Sequence, residues 1–410
     1  MTMLRDPGQA PHLAPTSSSD AVSRPSSLAS SRRTPSAKVA MIGAGQLARM
    51  THQAAVDLDI ELVVLAESAD DSAVAAGACH RLGSASSLAA ILAVAGGADV
   101  VTFDHELVPG AHVTELERLG YRLRPASPAL SLAQDKLKAR TVLAAAGFPV
   151  PAFTSVSSPR DVAVFAEQHG WPIVVKSPSG GYDGRGVHVV ESPDELEVLF
   201  GRRPHESQVW LAEQFVDLAA ELSILVARTV SGYVALYPAV QTVQEAGICR
   251  YLVMPASLPP AVVEQASQMA KSIADGIDAT GMLAVEMFLD TRGRLLVNEL
   301  ALRPHNSGHA TIEACETSQF HQHLRAVLDW PLGATTLRSP AATVNLIAGP
   351  DVVDLAARLP LALGVGGAHV HLYGKASRPG RKLGHVTALG ASTAEALETA
   401  QAAAALLTRP

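Results

Sequence analysis

Apolar residues in the first part of the chain gather in short uninterrupted runs. They fall at 38–42 (Lys38-Val39-Ala40-Met41-Ile42), 61–65 (Glu61-Leu62-Val63-Val64-Leu65) and 99–103 (Asp99-Val100-Val101-Thr102-Phe103). Runs of this length read as strands buried on both faces, with stretches of helical length between them. Strand alternating with helix predicts a parallel sheet covered by helices, an α/β unit expected over 38–131.

From 132 the rhythm changes. A helix is expected over 135–146, stopped by Gly147 and Pro149. Strands then recur at 172–176, 187–190, 209–213, 222–226, 283–288 and 295–298, several divided by glycine-containing turns. That spacing predicts an α+β unit with antiparallel sheets over 132–331. The remainder, 332–410, carries strands at 343–347 and 369–373 and an Ala-rich helix over 393–407, and reads as a small cap. No solenoid repeat is visible. The stretch 1–37 is rich in Ser, Pro, Ala and Arg and cannot bury enough apolar surface to offset its ordering entropy, so a disordered tail is expected. A transit peptide is the sharper reading, against which Asp6, Asp20 and the prolines weigh.

Composition narrows the function classes. The 410 residues are 48% hydrophobic and 17% charged, with a formal net charge of -7. An acidic balance argues against nucleic acid as the main partner, while leaving room for local basic pockets. Cys79, Cys249 and Cys315 are far apart, without zinc spacing, and read as reduced thiols of a cytoplasmic protein. No apolar run is long enough to span a bilayer, so no membrane partner is expected.

Five motifs carry chemistry. Gly43-Ala44-Gly45-Gln46-Leu47-Ala48 follows a strand and opens a helix. It reads either as a Rossmann dinucleotide turn, with Glu67 for the ribose, or as glycines that permit close packing. Lys176 ends a strand and is followed by Gly180-Gly181-Tyr182-Asp183-Gly184-Arg185-Gly186-Val187. Such a loop offers many N–H donors to a polyphosphate, and the lysine adds a point charge. Glu286 lies in one apolar strand and Asn298-Glu299 ends the next, across a turn at 291–293. Two carboxylates and an amide oxygen are hard donors suited to Mg²⁺ (or Mn²⁺), and a charge inside an apolar strand needs a partner. Arg303-Pro304-His305-Asn306-Ser307-Gly308-His309 comes next, with a guanidinium fork for an anion. Finally Lys375, Arg378, Arg381, Lys382 and His385 form a basic segment in an acidic chain, which suits a ligand phosphate.

Together these motifs resemble the ATP-grasp ligases, and among them the N5-carboxyaminoimidazole ribonucleotide synthase branch. The likeness runs from Lys38 to the C-terminus and rests on Gly-Gly-Tyr-Asp-Gly-Arg-Gly, Arg-Pro-His-Asn-Ser-Gly-His and Arg-Pro-Gly-Arg-Lys-x-Gly-His in this order. It implies an ATP-grasp fold with an N-terminal Rossmann-like, pre-ATP-grasp domain and a small C-terminal domain. It implies ATP contacts at Lys136, Lys176, Gly181, Tyr182, Asp183, Gly184, Arg185, Gly186 and Val187. An adenine hinge is implied at Glu213, Gln214, Phe215 and Val216, with Glu221 on the ribose and Gln244, Asn298 and Glu299 near the nucleotide. Glu286 and Glu299 are the implied metal ligands. Gln46, Leu47, Glu106, Tyr182, Arg303, His305, Lys375, Arg381 and Lys382 are implied to meet 5-aminoimidazole ribonucleotide and the anion, with Asp183, Arg185, Arg303 and His305 at the reacting centre. Leu302 stands where the family often has Pro, and Gln244 where relatives can carry His.

The activity so implied is ATP-dependent carboxylation of that ribonucleotide by bicarbonate in purine synthesis, by a homodimer. Two alternatives within the superfamily are a formate-dependent glycinamide ribonucleotide enzyme and a biotin carboxylase, against which the last two basic motifs discriminate. A nicotinamide-dependent dehydrogenase would use the glycine turn but has no role for the Glu286/Glu299 pair. A regulatory protein that has lost catalysis would not need Lys176, Glu286, Asn298 and Glu299 intact.

Overall fold

The computed structural model describes residues 35–179, 186–201, 209–245, 247–350 and 354–408. Its first layer follows the alternating pattern. Strands β1 (Ala37–Ile42), β2 (Ile60–Ala66), β3 (Cys79–Leu82) and β4 (Val100–Phe103) alternate with helices α1 (Gln46–Asp57), α2 (Ser72–Ala75), α3 (Leu88–Ala95) and α4 (Gly110–Arg118). The sheet order is β3-β2-β1-β4, all parallel. β1 and β4 are buried throughout their apolar stretch, as expected when helices cover both faces. β3 is an exposed edge strand without an apolar run, which is why the hydropathy pattern passed over it.

Helix α5 (Ser127–Gln134) leads into α6 (Lys136–Ala145), whose N-cap Asp135 accepts from the Lys138 N–H. A four-stranded antiparallel sheet follows, ordered β5-β8-β6-β7, from β5 (Phe153–Val156), β6 (Ile173–Lys176), β7 (Val187–Val190) and β8 (Trp210–Gln214). Helices α7 (Pro159–His169) and α8 (Pro193–Gly201) accompany it, and their apolar faces join one core cluster with its strands.

The second sheet is larger. It is built from β9 (Leu218–Arg228), β10 (Val234–Leu236), β11 (Val240–Glu245), β12 (Ile248–Met254), β13 (Gly281–Asp290) and β14 (Leu295–Ala301). It continues through β15 (Ala341–Ile347), β16 (Ala368–Leu372) and β17 (Lys382–Leu389). The order is β14-β13-β9-β11-β12-β15-β17-β16, with β10 beside β9. The strands of the C-terminal segment therefore extend the same sheet through the antiparallel β12–β15 pair. Helices α9 (Pro260–Gly276), α10 (Thr311–Ala314), α11 (Gln319–Val327), α12 (Leu355–Leu363) and α13 (Thr393–Thr408) cover it. The buried faces of α9, β9, β13 and β14 form one core cluster and the alanines of α13 pack with β15 and β17 in another.

The expected tail at 1–37 lies outside the described residues except for 35–37, and Ala37 already begins β1. Gly181, Tyr182, Asp183, Gly184 and Arg185 also lie outside them. Among the described residues no helix is long and apolar enough to cross a membrane.

Candidate active site

The expected carboxylate pair is set by one hairpin. β13 and β14 are antiparallel, and Glu286 stands directly across from Glu299. The register then slips, because the next partners are Met287 and Val297, so Asn298 is the extra residue of a β-bulge. In a regular strand Asn298 and Glu299 would point to opposite faces. With the bulge, neither side chain is buried while Val297 and Leu300 on either side are, and both reach the same group of cations. On the other side of β13, Glu286 pairs with Ser223 and Phe288 with Glu221. Period two then puts Glu221, Ser223 and Glu286 on one face of the large sheet. The amide of Gln244 on β11 donates to Glu221 at 3.4 Å.

Cations face these carboxylates from the small sheet and α6. Lys176 ends β6 and is nearly buried, with its Nζ 2.5 Å from Glu213 Oε2 and 3.3 Å from Asn298 Oδ1. Lys136 opens α6 and its Nζ pairs with Glu299. Arg140, one helical turn on, pairs with Glu213 and donates to the Val297 carbonyl at 3.0 Å. Glu213 is thus shared by two cations and lies wholly buried. Its neighbour Phe215 is exposed beside the same strand end. Gly186 returns the loop to β7 in the left-handed region, φ +73°, and its carbonyl accepts from the Ser177 N–H at 2.8 Å.

The charges are unevenly balanced. Burial raises the Glu286 carboxyl, and the nearby Glu299 and Glu221 carboxylates raise it further, to about 7. Desolvation by the surrounding cleft also works against the partly exposed Glu299, but Lys136, Lys176 and Arg140 outweigh it and keep that carboxyl low. Glu213 faces the same opposition from burial, and Lys176 and Arg140 hold it at about 2. Lys176 is lowered by burial, with Arg140 adding to the fall and Glu213 opposing it. An under-compensated carboxylate beside a second one is the donor set of a hard divalent cation that keeps waters and phosphate oxygens as its other ligands. Among the described residues no group of three or more His, Cys, Asp or Glu side chains is placed to hold a metal ion.

The segment after the hairpin supplies an anion corner. Arg303 pairs with Glu106 at 2.8 Å. The His305 ring lies 3.5 Å from Glu286 Oε1 through Nε2, while its Nδ1 accepts from the Ser307 N–H at 3.3 Å. The Ser307 hydroxyl donates to Ser223 Oγ at 3.0 Å, which ties this turn to β9. Gln319 clamps the backbone of His305 from both sides, and a Cβ at Gly308 would collide with its amide, so only glycine fits there. Burial, with Arg303 and Lys382 adding to it, drives His305 down to about 3 and keeps it neutral. Leu302 is buried in the core cluster of this hairpin.

The glycine turn has a different role from a dinucleotide site. The Asp104 carboxylate accepts from the Gly45 N–H at 2.5 Å and from the Ala48 N–H at 3.0 Å. The chain thus fills the anion position at the N-terminus of α1 with its own residue. A Cβ at Gly43 would lie 2.8 Å from the Asp104 Cβ, and one at Gly45 2.7 Å from Asp104 Oδ2. Both glycines are demanded by this close approach. Glu67, the expected ribose partner, instead accepts from Ser84 at the surface.

Gln46 and Leu47 open α1 beside Asp104, and Lys375 reaches Gln46 from the C-terminal segment. Lys375 also lies 5.5 Å from the centre of the Tyr373 ring. Lys382 opens β17 and acts electrostatically on Glu286 and His305. Arg381 turns toward its own loop, donating to the Ala376 carbonyl at 3.2 Å, with Arg378 and Asp71 in its field. His385 is fully buried, 4.6 Å from His309 and 4.4 Å from His371 in a stack of three imidazoles. Residues from four parts of the chain thus converge: 46–47, 104–106, 303–309 and 375–382.

Three side chains central to this arrangement were not anticipated: Asp104, Arg140 and Ser223. Arg140 carried a readable signal, since it follows Lys136 by four residues and shares its helix face. Asp104 and Ser223 carried none.

Comparison with known proteins is consistent along the whole described chain. Residues 36–134 match the ribonucleotide synthetase preATP-grasp domain, 141–320 the ATP-grasp domain and 341–399 the phosphoribosylaminoimidazole carboxylase C-terminal domain. N5-carboxyaminoimidazole ribonucleotide synthase of Mycobacterium tuberculosis (strain ATCC 25618 / H37Rv) is 47% identical over 371 residues, covering 89% of this chain and 86% of that protein. The crystal structure of the Thermus thermophilus synthetase superposes with a TM-score of 0.80 at 36% identity, over 91% of this chain and 99% of that one. The Aspergillus clavatus synthase, in complex with ADP and 5-aminoimidazole ribonucleotide, gives a TM-score of 0.82 at 31% identity, over 91% of this chain and 99% of that one. The chain belongs to the N5-carboxyaminoimidazole ribonucleotide synthase family of ATP-grasp ligases.

Proposed function

We propose that the protein uses ATP to carboxylate the exocyclic amine of 5-aminoimidazole ribonucleotide with bicarbonate, forming N5-carboxyaminoimidazole ribonucleotide, ADP and phosphate in purine synthesis. One observation carries the reading: the Glu286/Glu299 pair faces Lys136 and Lys176, with Arg303 and His305 directly beyond. That arrangement supports reading a phosphoryl-transfer site with a second, anion-binding corner within reach.

Bicarbonate is a weak electrophile. One of its oxygens attacks the γ-phosphorus, the bond to the ADP oxygen breaks, and carboxyphosphate results. Lys176 and Lys136 stabilise charge growing on the phosphoryl oxygens. Glu286 and Glu299 would hold Mg²⁺, which supplies further neutralisation of those oxygens. Arg303 and the Nε2–H of His305 hold the carboxyl end. Held neutral by its surroundings, His305 is a weak base and is suited to donate a hydrogen bond through its Nε2–H. The amine nitrogen then bonds to the carboxyl carbon, directly or as released CO₂. The carbon–oxygen bond to phosphate breaks, and the amine proton goes to Asp183. Asp183 is preferred over His305 as this base because His305 is too weak a base, and Tyr182, Asp183 and Arg185 are placed at the site by family resemblance alone. The ribonucleotide would meet Gln46, Leu47, Glu106, Lys375, Arg381 and Lys382, and ATP would meet the strand ends at 213–216 with Glu221 on the ribose. We also propose a cytoplasmic homodimer, which light scattering of the purified chain tests.

Phosphate release measured with ATP, Mg²⁺, bicarbonate and the ribonucleotide, each omitted in turn, tests the activity. Full dependence on all four is expected. ADP formation that ignores the ribonucleotide would sink this reading.

A further inference from the structure

Arg140 is 3% exposed and its partner Glu213 2%, so this ion pair is closed to solvent. The guanidinium does two things at once. Its Nε donates to Glu213 on β8 of the small sheet, and its Nη1 donates at 3.0 Å to the Val297 carbonyl on β14 of the large sheet. Val297 directly precedes the bulge that turns Asn298 and Glu299 toward the cleft. The second Glu213 oxygen holds Lys176, whose Nζ also contacts Asn298. Arg140, Glu213, Lys176 and Asn298 therefore link the two sheets twice, once through the Val297 carbonyl and once through the Asn298 amide.

We propose that Arg140 is a positioning residue for the nucleotide-phosphate site: by gripping both sheets it fixes where Lys176 stands and how far the Asn298–Glu299 bulge lies from it. Geometry gives the reason for arginine. Two donors on one rigid plane can serve a carboxylate and a carbonyl on different sheets, while a lysine ammonium on a flexible stem serves one well-placed acceptor. Removing the guanidinium leaves Glu213 with an unpaired buried oxygen and frees the bulge carbonyl, so Lys176 loses its fixed place. The ribonucleotide corner, held by Gln319 and Ser223, does not depend on it.

The inference rests on the ligase reading, and the test separates the two. Arg140→Met and Arg140→Lys are assayed for ribonucleotide-dependent phosphate release, varying ATP and ribonucleotide separately, with thermal melting alongside. Arg228→Met is the control, because Arg228 is an ion-paired arginine at the far end of β9, bound to Asp275 and Asp278. Arg140→Met should raise the KM for ATP and lower kcat/KM for ATP by about ten- to a hundredfold, the scale of one charge-assisted hydrogen bond, with the ribonucleotide KM unchanged. Arg140→Lys should recover part of that loss. Arg228→Met should lower the melting temperature and leave both KM values alone. The inference is overturned if folded Arg140→Met keeps the parent's KM for ATP, or if both KM values rise together. Should Arg140→Met not fold, a parental KM for ATP in Arg140→Lys overturns it. If the parent enzyme itself releases phosphate without the ribonucleotide, the ligase reading fails instead.

Discussion

Replacing Glu286 by Gln should stabilise the ligand-free protein while destroying its activity. The carboxyl titrates at about 7 in the folded chain because burial, Glu299 and Glu221 all disfavour its charged form. In an unfolded chain it would titrate near the ordinary value of about 4.5. The folded state therefore holds the proton more tightly, and stability falls as pH rises from the lower value to the higher one. Above both, the full cost applies. A difference of about 2.5 units, at 1.36 kcal/mol each, makes that cost about 3 kcal/mol at pH 8 and below about 1 kcal/mol at pH 5. Glutamine keeps the shape and removes the charge. Urea unfolding of parent and variant, without nucleotide or divalent cation, reads the difference. Expected is a gain of about 2–3 kcal/mol for Glu286→Gln at pH 8 that shrinks by most of its size at pH 5, with turnover lost at both. A variant less stable than the parent at pH 8, or a gain that does not change with pH, would refute the account of Glu286 as an uncompensated carboxylate.

Glu299→Gln should also abolish turnover with the fold intact; near-normal phosphate release in that variant would remove the metal assignment. Three buried histidines, His309, His323 and His385, and the partly buried His305 are all depressed chiefly by desolvation. The unfolded chain takes up their protons first, so each should cost about 1.4 kcal/mol per pH unit below about 6.5, read as a falling urea midpoint. A midpoint flat between pH 7 and pH 5.5 would contradict this. Gly43→Ala should destabilise by about 1–3 kcal/mol, since it adds a Cβ 2.8 Å from Asp104 to a residue at φ +107°; an unchanged melting temperature would show that the turn can give way.

What the sequence disclosed follows what leaves a local mark. The parallel sheet, the β13–β14 hairpin and the Ala-rich last helix were visible because burial on both faces, or on one stripe, writes a period into the chain. The exposed strand β3 and the strands β5, β10, β11 and β12 were not, because they are short or half-buried and owe their existence to partners far away in sequence; β17 is long and buried, but its Lys, Gly, His and Thr residues break the apolar run. The same holds within the site. Lys176 and the two glutamates stand out as charges inside apolar strands. The bulge at Asn298 does not, because it is a register property of two strands. The glycine turn was ambiguous for a related reason: Asp104, which decides its meaning, lies 59 residues from Gly45.

The continuous large sheet has a mechanical corollary. Glu286 on β13 and Lys382 on β17 are carried by one hydrogen-bonded lattice, so the Glu286/Glu299 hairpin and the basic C-terminal segment cannot swing apart as separate bodies. Any movement of the four-stranded sheet away from this lattice would have to strain or break the bonds that Arg140 makes to both sheets. Cutting the chain before β15 would also expose the β12 edge, Ile248–Met254, as a bare apolar template for intermolecular pairing. Expressed without its last segment, the protein should therefore be an aggregating fragment rather than a smaller enzyme.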